Sequence, residues 1–198
     1  MNIKIELVGT SPLLMHNPQM VDPNFELNRK IKELTSKRKK TDDDLKQIER
    51  LEWYGGIYTM SVDGNGGPQI VSQPTAKVRK CLINAARISK NGKGVERAIS
   101  FSAVDVPLIY NGPRDIDQLF ADPHYHSRLS VGVQGKRVMR VRPKFIQWAL
   151  EVTGLFVEDT GLNFDELQNI VELAGIIEGI GDNRINGYGR FIGKIEQI

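Results

Sequence analysis

The feature that constrains the fold most is a helix–loop–strand unit near the C-terminal end of the sequence. Residues 164–177 carry apolar side chains at helical spacing, and Asn163 with Glu166 has the spacing of a capping box. Residues 188–198 alternate loosely between apolar and polar, which predicts a terminal strand. The intervening residues 179–190 contain four glycines and two arginines. Because one turn does not need four glycines, we expect positive φ angles and close approach of another chain segment.

The same glycine-rich stretch is also a candidate anion-binding site. Successive backbone N–H groups in such a loop form an anion-binding concavity, and Arg184 and Arg190 add positive charge. A structural role, in which a long helix cap is followed by a solvated turn, fits the local sequence equally well. Both interpretations stay open, and the other candidate nucleic-acid-binding residues of the loop are Gly181, Gly187 and Tyr188.

The remaining patterns complete one order of elements. Residues 2–10 alternate as a first strand, a helix begins near Thr75, strand patterning returns at 101–110, and 138–153 give the longest strand signal. Without its insertions the order is β-α-β-β-α-β. This is the split β-α-β order of ferredoxin-like and RNA-recognition folds, which belong to the α+β class.

Insertions interrupt this core within a single predicted domain, residues 1–198. Residues 18–56 are rich in both charges and thinly apolar, and they predict a helical hairpin that projects from the domain. This inserted arm is either solvated or in contact with a neighbour or nucleic acid. Residues 63–68 predict the turn of a β-hairpin arm. Residues 111–137 lack a regular pattern apart from a short helical one at 115–120, so we expect an irregular insertion there.

Positive charge is concentrated in two stretches, although the net charge of the chain is only +3. Residues 128–144 carry six Lys and Arg side chains and no acid, and residues 77–97 carry seven against one glutamate. Segregation of this kind creates a local positive field. The candidate nucleic-acid-binding residues in these stretches are Lys77, Lys80, Arg137, Arg140, Arg142 and Lys144.

The long strand signal at 138–153 reverses its apolar parity near Pro143. Before the reversal, Arg140, Arg142 and Lys144 occupy even-numbered positions and the apolar residues occupy odd-numbered ones. Beyond it, the apolar residues occupy even-numbered positions. A one-residue bulge or bend in a single continuous strand reconciles the two halves. We therefore expect the three cations to line one exposed face of that strand.

The first predicted strand leads into Ser-Pro-Leu-Leu-Met-His-Asn-Pro, which places His16 and Asn17 at the rim of the sheet. His16 is a candidate general acid or base, but the sequence shows no partner for it. As a polar rim residue that contacts a binding partner it needs no further group. We favour the second interpretation and include His16 and Asn17 among the candidate nucleic-acid-binding residues.

Other residues with chemical potential give weaker signals. His124 and His126 lack a third ligand at metal-site spacing, so we expect no metal and no other cofactor. Cys81 is the single cysteine and falls beside apolar positions of a predicted helix, which predicts a packed thiol in a reducing cytoplasm. The sequence contains no apolar run of membrane-spanning length and no signal-peptide layout, so no membrane partner is expected.

Two motifs resemble the RAMP superfamily, the repeat-associated proteins that build and serve CRISPR effector complexes. The first is glycine–apolar–glycine, five residues, then glycine–apolar–glycine, present here from Gly179 to Gly189. The second is the Ser-Pro-Leu-Leu-Met-His opening at residues 11–16, which is similar to solitary relatives carried by bacteriophages. In this superfamily the glycine-rich loop joins the last helix to the last strand of a ferredoxin-like core. The resemblance covers the core order, the loop and the opening, but not the inserted arms.

Three functions follow from the resemblance and the charge pattern. The first is non-catalytic binding of single-stranded DNA or RNA by subunits that assemble along the strand as a homo-oligomer or filament, as the resemblance implies. The second is a metal-independent endoribonuclease that uses His16. The third is a phage-encoded interaction protein that mimics a CRISPR subunit. The basic stretches favour the first two, and the missing acid–base partner favours the first. A phage-encoded relative would act in the cytoplasm of its bacterial host.

Overall fold

A computed structural model describes residues 1–64, 66–133, 135–158 and 161–198. The protein is a mixed α/β chain whose sheets are antiparallel. Its helices are α1 (Glu26–Ser36), α2 (Asp42–Gly56), α3 (Thr75–Ala86), α4 (Gly92–Ala98), α5 (Ile116–Ala121) and α6 (Phe164–Ile177). Its strands are β1 (Asn2–Gly9), β2 (Leu13–Leu14), β3 (Thr59–Ser61), β4 (Gln69–Pro74), β5 (Ile99–Phe101), β6 (Asp105–Pro107), β7 (His126–Val133), β8 (Lys136–Phe145), β9 (Ala149–Phe156) and β10 (Phe191–Gln197).

The central sheet has four strands in the order β10-β1-β9-β5. Helix α3 lies in the chain between β1 and β5, and α6 lies between β9 and β10. The two helices pack against each other, with the Sγ of Cys81 3.7 Å from the carbonyl oxygen of Ala174. Burial raises the pKa of the Cys81 thiol to about 12. The predicted packed thiol is confirmed, because Cys81 is buried between these helices.

The predicted first strand and last helix are confirmed, and the predicted terminal strand is shorter than 188–198, since β10 begins at Phe191. Strand β1 alternates as expected, with Ile3, Ile5 and Leu7 fully buried. Helix α6 begins with the predicted capping box, in which Asn163 and Glu166 exchange side chain-to-backbone hydrogen bonds. This reciprocal pairing satisfies two N–H groups that a helix start otherwise leaves open.

The prediction of one bulged strand over residues 138–153 is wrong. Strand β8 belongs to a three-stranded sheet of order β2-β8-β7, whereas β9 lies in the central sheet between β1 and β5. The chain leaves one sheet and enters the other at residues 146–148, where Trp148 is buried and its Nε1 donates to the carbonyl oxygen of Ser11 at 2.8 Å. The parity reversal thus marks a change of sheet.

Two further strand assignments need correction. The single strand predicted at 101–110 is divided, because β5 ends at Phe101 in the central sheet and β6 pairs with β4 in another. Residues 111–137, predicted to be irregular apart from a short helix at 115–120, contain that helix as α5 and also all of β7 and the start of β8. Strand β7 pairs with β8 from His126 to Val133 as a hairpin, and its mixed polarity gave no strand signal of its own.

The inserted residues 18–56 form the predicted helical hairpin but do not project from the protein. Helix α2 packs against β8, and Trp53 near its C-terminal end is fully buried, with its Nε1 donating to the carbonyl oxygen of Tyr125 at 2.9 Å. The ring of His126 stacks on those of Trp53 and Phe120. A single large aromatic residue thereby anchors a helix whose apolar stripe is narrow. In the described ranges no helix is both long and apolar enough to cross a bilayer.

Candidate nucleic-acid interface

The glycine-rich loop is held against the rest of the protein by close backbone contacts. All four of its glycines have positive φ, between 69° and 83°, as predicted. A Cβ at Gly181 would lie 2.5 Å from the carbonyl oxygen of Leu14, and one at Gly189 would collide with the carbonyl oxygen of Ile180. Only at Gly187 would a Cβ meet no atom within 4 Å. Three of the four glycines, therefore, serve the packing of the loop itself.

Several backbone N–H groups of the loop donate hydrogen bonds inside the protein. Ile180 donates to the carbonyl oxygen of Gly189, Asp182 to that of Leu14, and Gly189 to that of Pro12, each at 2.9 Å. The last two bonds fasten the loop to residues 12–14, at the start of β2. Among the described residues, no acceptor faces the consecutive backbone N–H groups of Asn183, Arg184 and Ile185, so the phosphate cradle stays a prediction for that part of the loop. The loop also presents side-chain charge to a ligand.

The two loop arginines have different surroundings. Arg184 Nη1 lies 3.3 Å from Glu178 Oε2 at the end of α6, and the side chain is partly exposed. Arg190 Nη2 donates to the carbonyl oxygen of Arg184 at 3.2 Å, and its backbone N–H donates to Ser11 Oγ. Both arginines line a surface cavity of about 500 Å³. Arg190 thus holds the loop in shape, and Arg184 carries the more accessible charge.

The cations of β8 share one face, as predicted, because Val141 and Phe145 are buried on the other. They are half-buried, however, and two of them are paired with acids. Arg140 contacts Glu52 of α2, and Arg142 contacts Asp182 of the loop. The expectation of a fully exposed cationic face is corrected, because acids distant in sequence approach this acid-free stretch in space.

Glu52 is the most buried of the acids in this region, with 8% of its side chain exposed. Besides contacting Arg140, it accepts a 3.0 Å hydrogen bond from the backbone N–H of Val141. A buried carboxylate is tolerated only when it is paired and hydrogen-bonded in this way. Glu52 therefore fixes both the arginine and the position of α2 on β8.

Lys77 connects the loop with the start of the chain. Its Nζ lies 4.6 Å from the centre of the Tyr58 ring, and the Tyr58 hydroxyl donates to the carbonyl oxygen of His16 at 2.8 Å. Burial, with a further contribution from the positive charge of Arg184, lowers the pKa of Lys77 to about 8. An anion bound beside Lys77 would favour the protonated form of its amine and raise its pKa.

His16 is exposed and lies within electrostatic reach of three cations. Partial burial, together with the charges of Arg142, Lys77 and Arg140, lowers the pKa of its imidazole. The structure therefore brings together five basic side chains from separate segments, which we call the cationic strip. Its members are Arg184, Lys77, His16, Arg142 and Arg140.

The other predicted site residues lie outside these contacts. Lys80 and Arg137 are exposed, whereas Lys144 and Tyr188 are half-buried. Asn17 has a structural role, since its Oδ1 accepts from the backbone N–H of Gln19 at 3.1 Å and caps a short turn. Sequence reasoning missed Tyr58 and the acids Glu52, Glu178 and Asp182, because no local pattern marks an acid that approaches an arginine in space.

The surroundings of the three histidines bear on catalysis and on metal binding. Within the described part of the chain, the His16 imidazole makes no hydrogen bond to a protein group, and no three His, Cys, Asp or Glu side chains are grouped to hold a metal ion. The His124 ring contacts Asp122, while the His126 ring packs against Trp53. The two imidazoles therefore contact different groups and do not act as a pair.

No protein-family model and no curated protein sequence matches this chain. In fold it is similar to a chain in the cryo-EM structure of the Type III-B Cmr-beta bound to cognate target RNA, with a TM-score of 0.52 and 10% sequence identity. The alignment covers 99% of this chain and 58% of that chain, so this protein spans little more than half the length of the solved one. At this identity the likeness concerns the fold alone.

Proposed function

We propose that the protein binds single-stranded nucleic acid through the cationic strip and does not cut it. The observation that carries this proposal is the convergence of Lys77, His16, Arg142 and Arg184 from four separate chain segments onto one surface. Basic side chains that repel one another are brought together when an anion is bound there. The paired arginines keep further N–H donors for phosphate, because a guanidinium has five.

The fold supports the same proposal. A central sheet of order β10-β1-β9-β5 with α3 and α6 as its crossovers has the strand order of a ferredoxin-like core. We assign the chain to a RAMP-like fold on this order, on the glycine-rich loop and on the likeness to the Cmr-beta chain. That solved chain belongs to an assembly bound to target RNA, so RNA is the first ligand to test.

Assembly along the strand is part of the proposal. The strip combines residues of the glycine-rich loop and of β8, and we infer that a strand longer than the strip continues onto a second copy. Mass photometry with RNA of increasing length tests this point. We expect the number of bound copies to grow with strand length, and a constant single copy would limit the proposal to a monomeric binder.

A metal-independent endoribonuclease is the second candidate, and one observation favours it. The lowered pKa of His16 keeps the imidazole neutral beside two arginines, which is the state that a general base requires. Non-catalytic binding remains the better-supported function, because the described residues place no second acid or base on the imidazole.

Fluorescence anisotropy with single-stranded RNA, single-stranded DNA and duplex, measured at several salt concentrations, tests the proposed function. We expect single strands to bind more tightly than duplex, and log affinity to fall linearly with log salt. The same samples run on denaturing gels should show intact RNA. Absence of binding at low salt would contradict the proposal, and cleavage that needs no metal would favour the second candidate.

A further inference from the structure

A cavity of about 360 Å³ opens beside the cationic strip, between α1, α2 and the β7–β8 hairpin. One part of its lining is apolar, with Met20, Ile31 and Val141 among its residues. Another part is polar and includes Asn28 and Glu52. The strip residues His16, Arg140 and Arg142 also line it, so the cavity and the strip are continuous.

The polar groups of the cavity are held in place by the protein. Glu52 is fixed by the Val141 N–H and by Arg140, and the carboxylate still has lone pairs to accept further hydrogen bonds. Asn28 is 9% exposed, and its Nδ2 donates to the carbonyl oxygen of Asp22 at 2.7 Å. Acceptors of this kind, beside an apolar wall, suit a flat heterocycle that carries N–H donors.

The apolar part of the lining disfavours a phosphate as the occupant. The Glu52 carboxylate is paired with Arg140 and leaves Arg142 at the edge shared with the strip, while the apolar side chains deeper in the lining offer an anion no hydrogen bonds. Phosphates are instead attracted to the adjoining strip, where Lys77 and Arg184 add charge. A strand whose backbone follows the strip therefore has a cavity for a base beside it.

We propose that this cavity receives one unstacked base of the strand bound by the cationic strip. The inference rests on the proposed function and adds base contact to backbone contact. It predicts that part of the affinity depends on bases as well as on phosphates, since contact of a base with protein contributes measurably to single-strand binding.

Two variants add bulk to the cavity, one at an open position and one at Met20, whose sulfur packs against Gly55 of α2. Gly132 lines the cavity, its φ is not positive, and a Cβ there meets no atom within 4 Å, so Gly132→Leu should fold normally. Met20→Trp adds bulk from another side. Val21→Trp is the matched control, because Val21 adjoins Met20 in sequence but is 75% exposed and does not line the cavity.

The test compares oligoadenylate with the same strand made abasic, by anisotropy at one salt concentration. We expect wild type and Val21→Trp to prefer the intact strand by about tenfold, and Gly132→Leu and Met20→Trp to lose that preference while binding the abasic strand as wild type does. The salt dependence should be equal in all four proteins. Filled variants that keep the preference, or that lose affinity equally for both strands, would overturn the proposal.

Two further outcomes separate failure of the proposed function from failure of the base-binding cavity. If wild type binds neither strand, the proposed function fails as well. If titration calorimetry finds saturable binding of AMP that Gly132→Leu abolishes, while intact and abasic strands bind alike, the cavity is a site for a free nucleotide and the proposal is contradicted.

Discussion

The β7–β8 hairpin and the glycine-rich loop both contribute arginines to the cationic strip, and these arginines face carboxylates in both regions, but the backbone is held differently. On the hairpin, Arg140 and Arg142 face carboxylates that come from α2 and from the loop, and the two strands pair with each other. In the loop, Arg184 faces Glu178, and the shape is fixed by main-chain contacts and by Arg190, which binds the backbone oxygen of Arg184. The hairpin charge can therefore be changed by altering the opposing acids, whereas the loop geometry depends on residues that lack a side chain.

The largest expected effect separates the glycines of the loop from one another. Gly189→Ala should cost about 3 kcal/mol or more of unfolding free energy, because the new Cβ strikes the Ile180 carbonyl and the residue keeps a positive φ. Gly187→Ala should cost about 1 kcal/mol, since it carries the φ penalty without the collision. Urea denaturation measures both. Equal losses would contradict the assignment of Gly189 to loop packing.

The second effect concerns the acids that oppose the strip. Asp182→Asn removes the negative charge that Arg142 faces, so we expect binding of single-stranded RNA to strengthen about threefold to tenfold at low salt, with a salt slope steeper by about one. Glu172→Gln is the control, because it makes the same charge change at an exposed position of α6. A gain of equal size in both variants would mean that only net charge matters.

A third, smaller effect is a pH dependence that originates at Lys77. Its pKa is lowered from 10.5 to about 8, so the folded protein loses this proton before the unfolded chain does. The free energy of unfolding should therefore rise with pH between about 8 and 10.5. Binding of an anion favours the charged amine, so affinity should fall severalfold from about pH 7 to pH 9. Lys77→Met should remove both dependences, and their persistence would assign them to another group.

The smallest expected effect is at His16. His16→Ala should leave RNA intact, as wild type does, and should reduce affinity about twofold or less, because the neutral imidazole adds no charge to the strip at pH 7. Denaturing gels and anisotropy measure these two quantities. Cleavage by wild type that disappears in this variant would make His16 a catalytic residue.

The parts of the fold that local chemistry determines were predictable from the sequence. The capping box at Asn163 starts α6, and alternation around Ile5 defines β1. The separation of β8 from β9 was not predictable, because a bulge and a change of sheet give the same parity reversal. Strand β7 was missed since a strand of mixed polarity is stabilised by its partner rather than by its own pattern.

The candidate site was predictable in the same uneven way. Charge density identified Arg140 and Arg142, and the glycine spacing identified the loop. The acids Glu52 and Asp182 approach them from elements far away in sequence, and no spacing rule reveals such a pair. The sequence therefore located the cations but not how much of their charge is already compensated, which is a property of tertiary structure.

The most direct test of the strip compares two double variants with the same change in charge. Arg140→Ala/Arg142→Ala removes two cations from the strip, and Lys93→Ala/Arg97→Ala removes two exposed cations on α4. With single-stranded RNA, the slope of log affinity against log salt should become shallower by about 1.5 in the first variant and remain near that of wild type in the second. Equal slopes in two folded variants would contradict the strip as the binding surface.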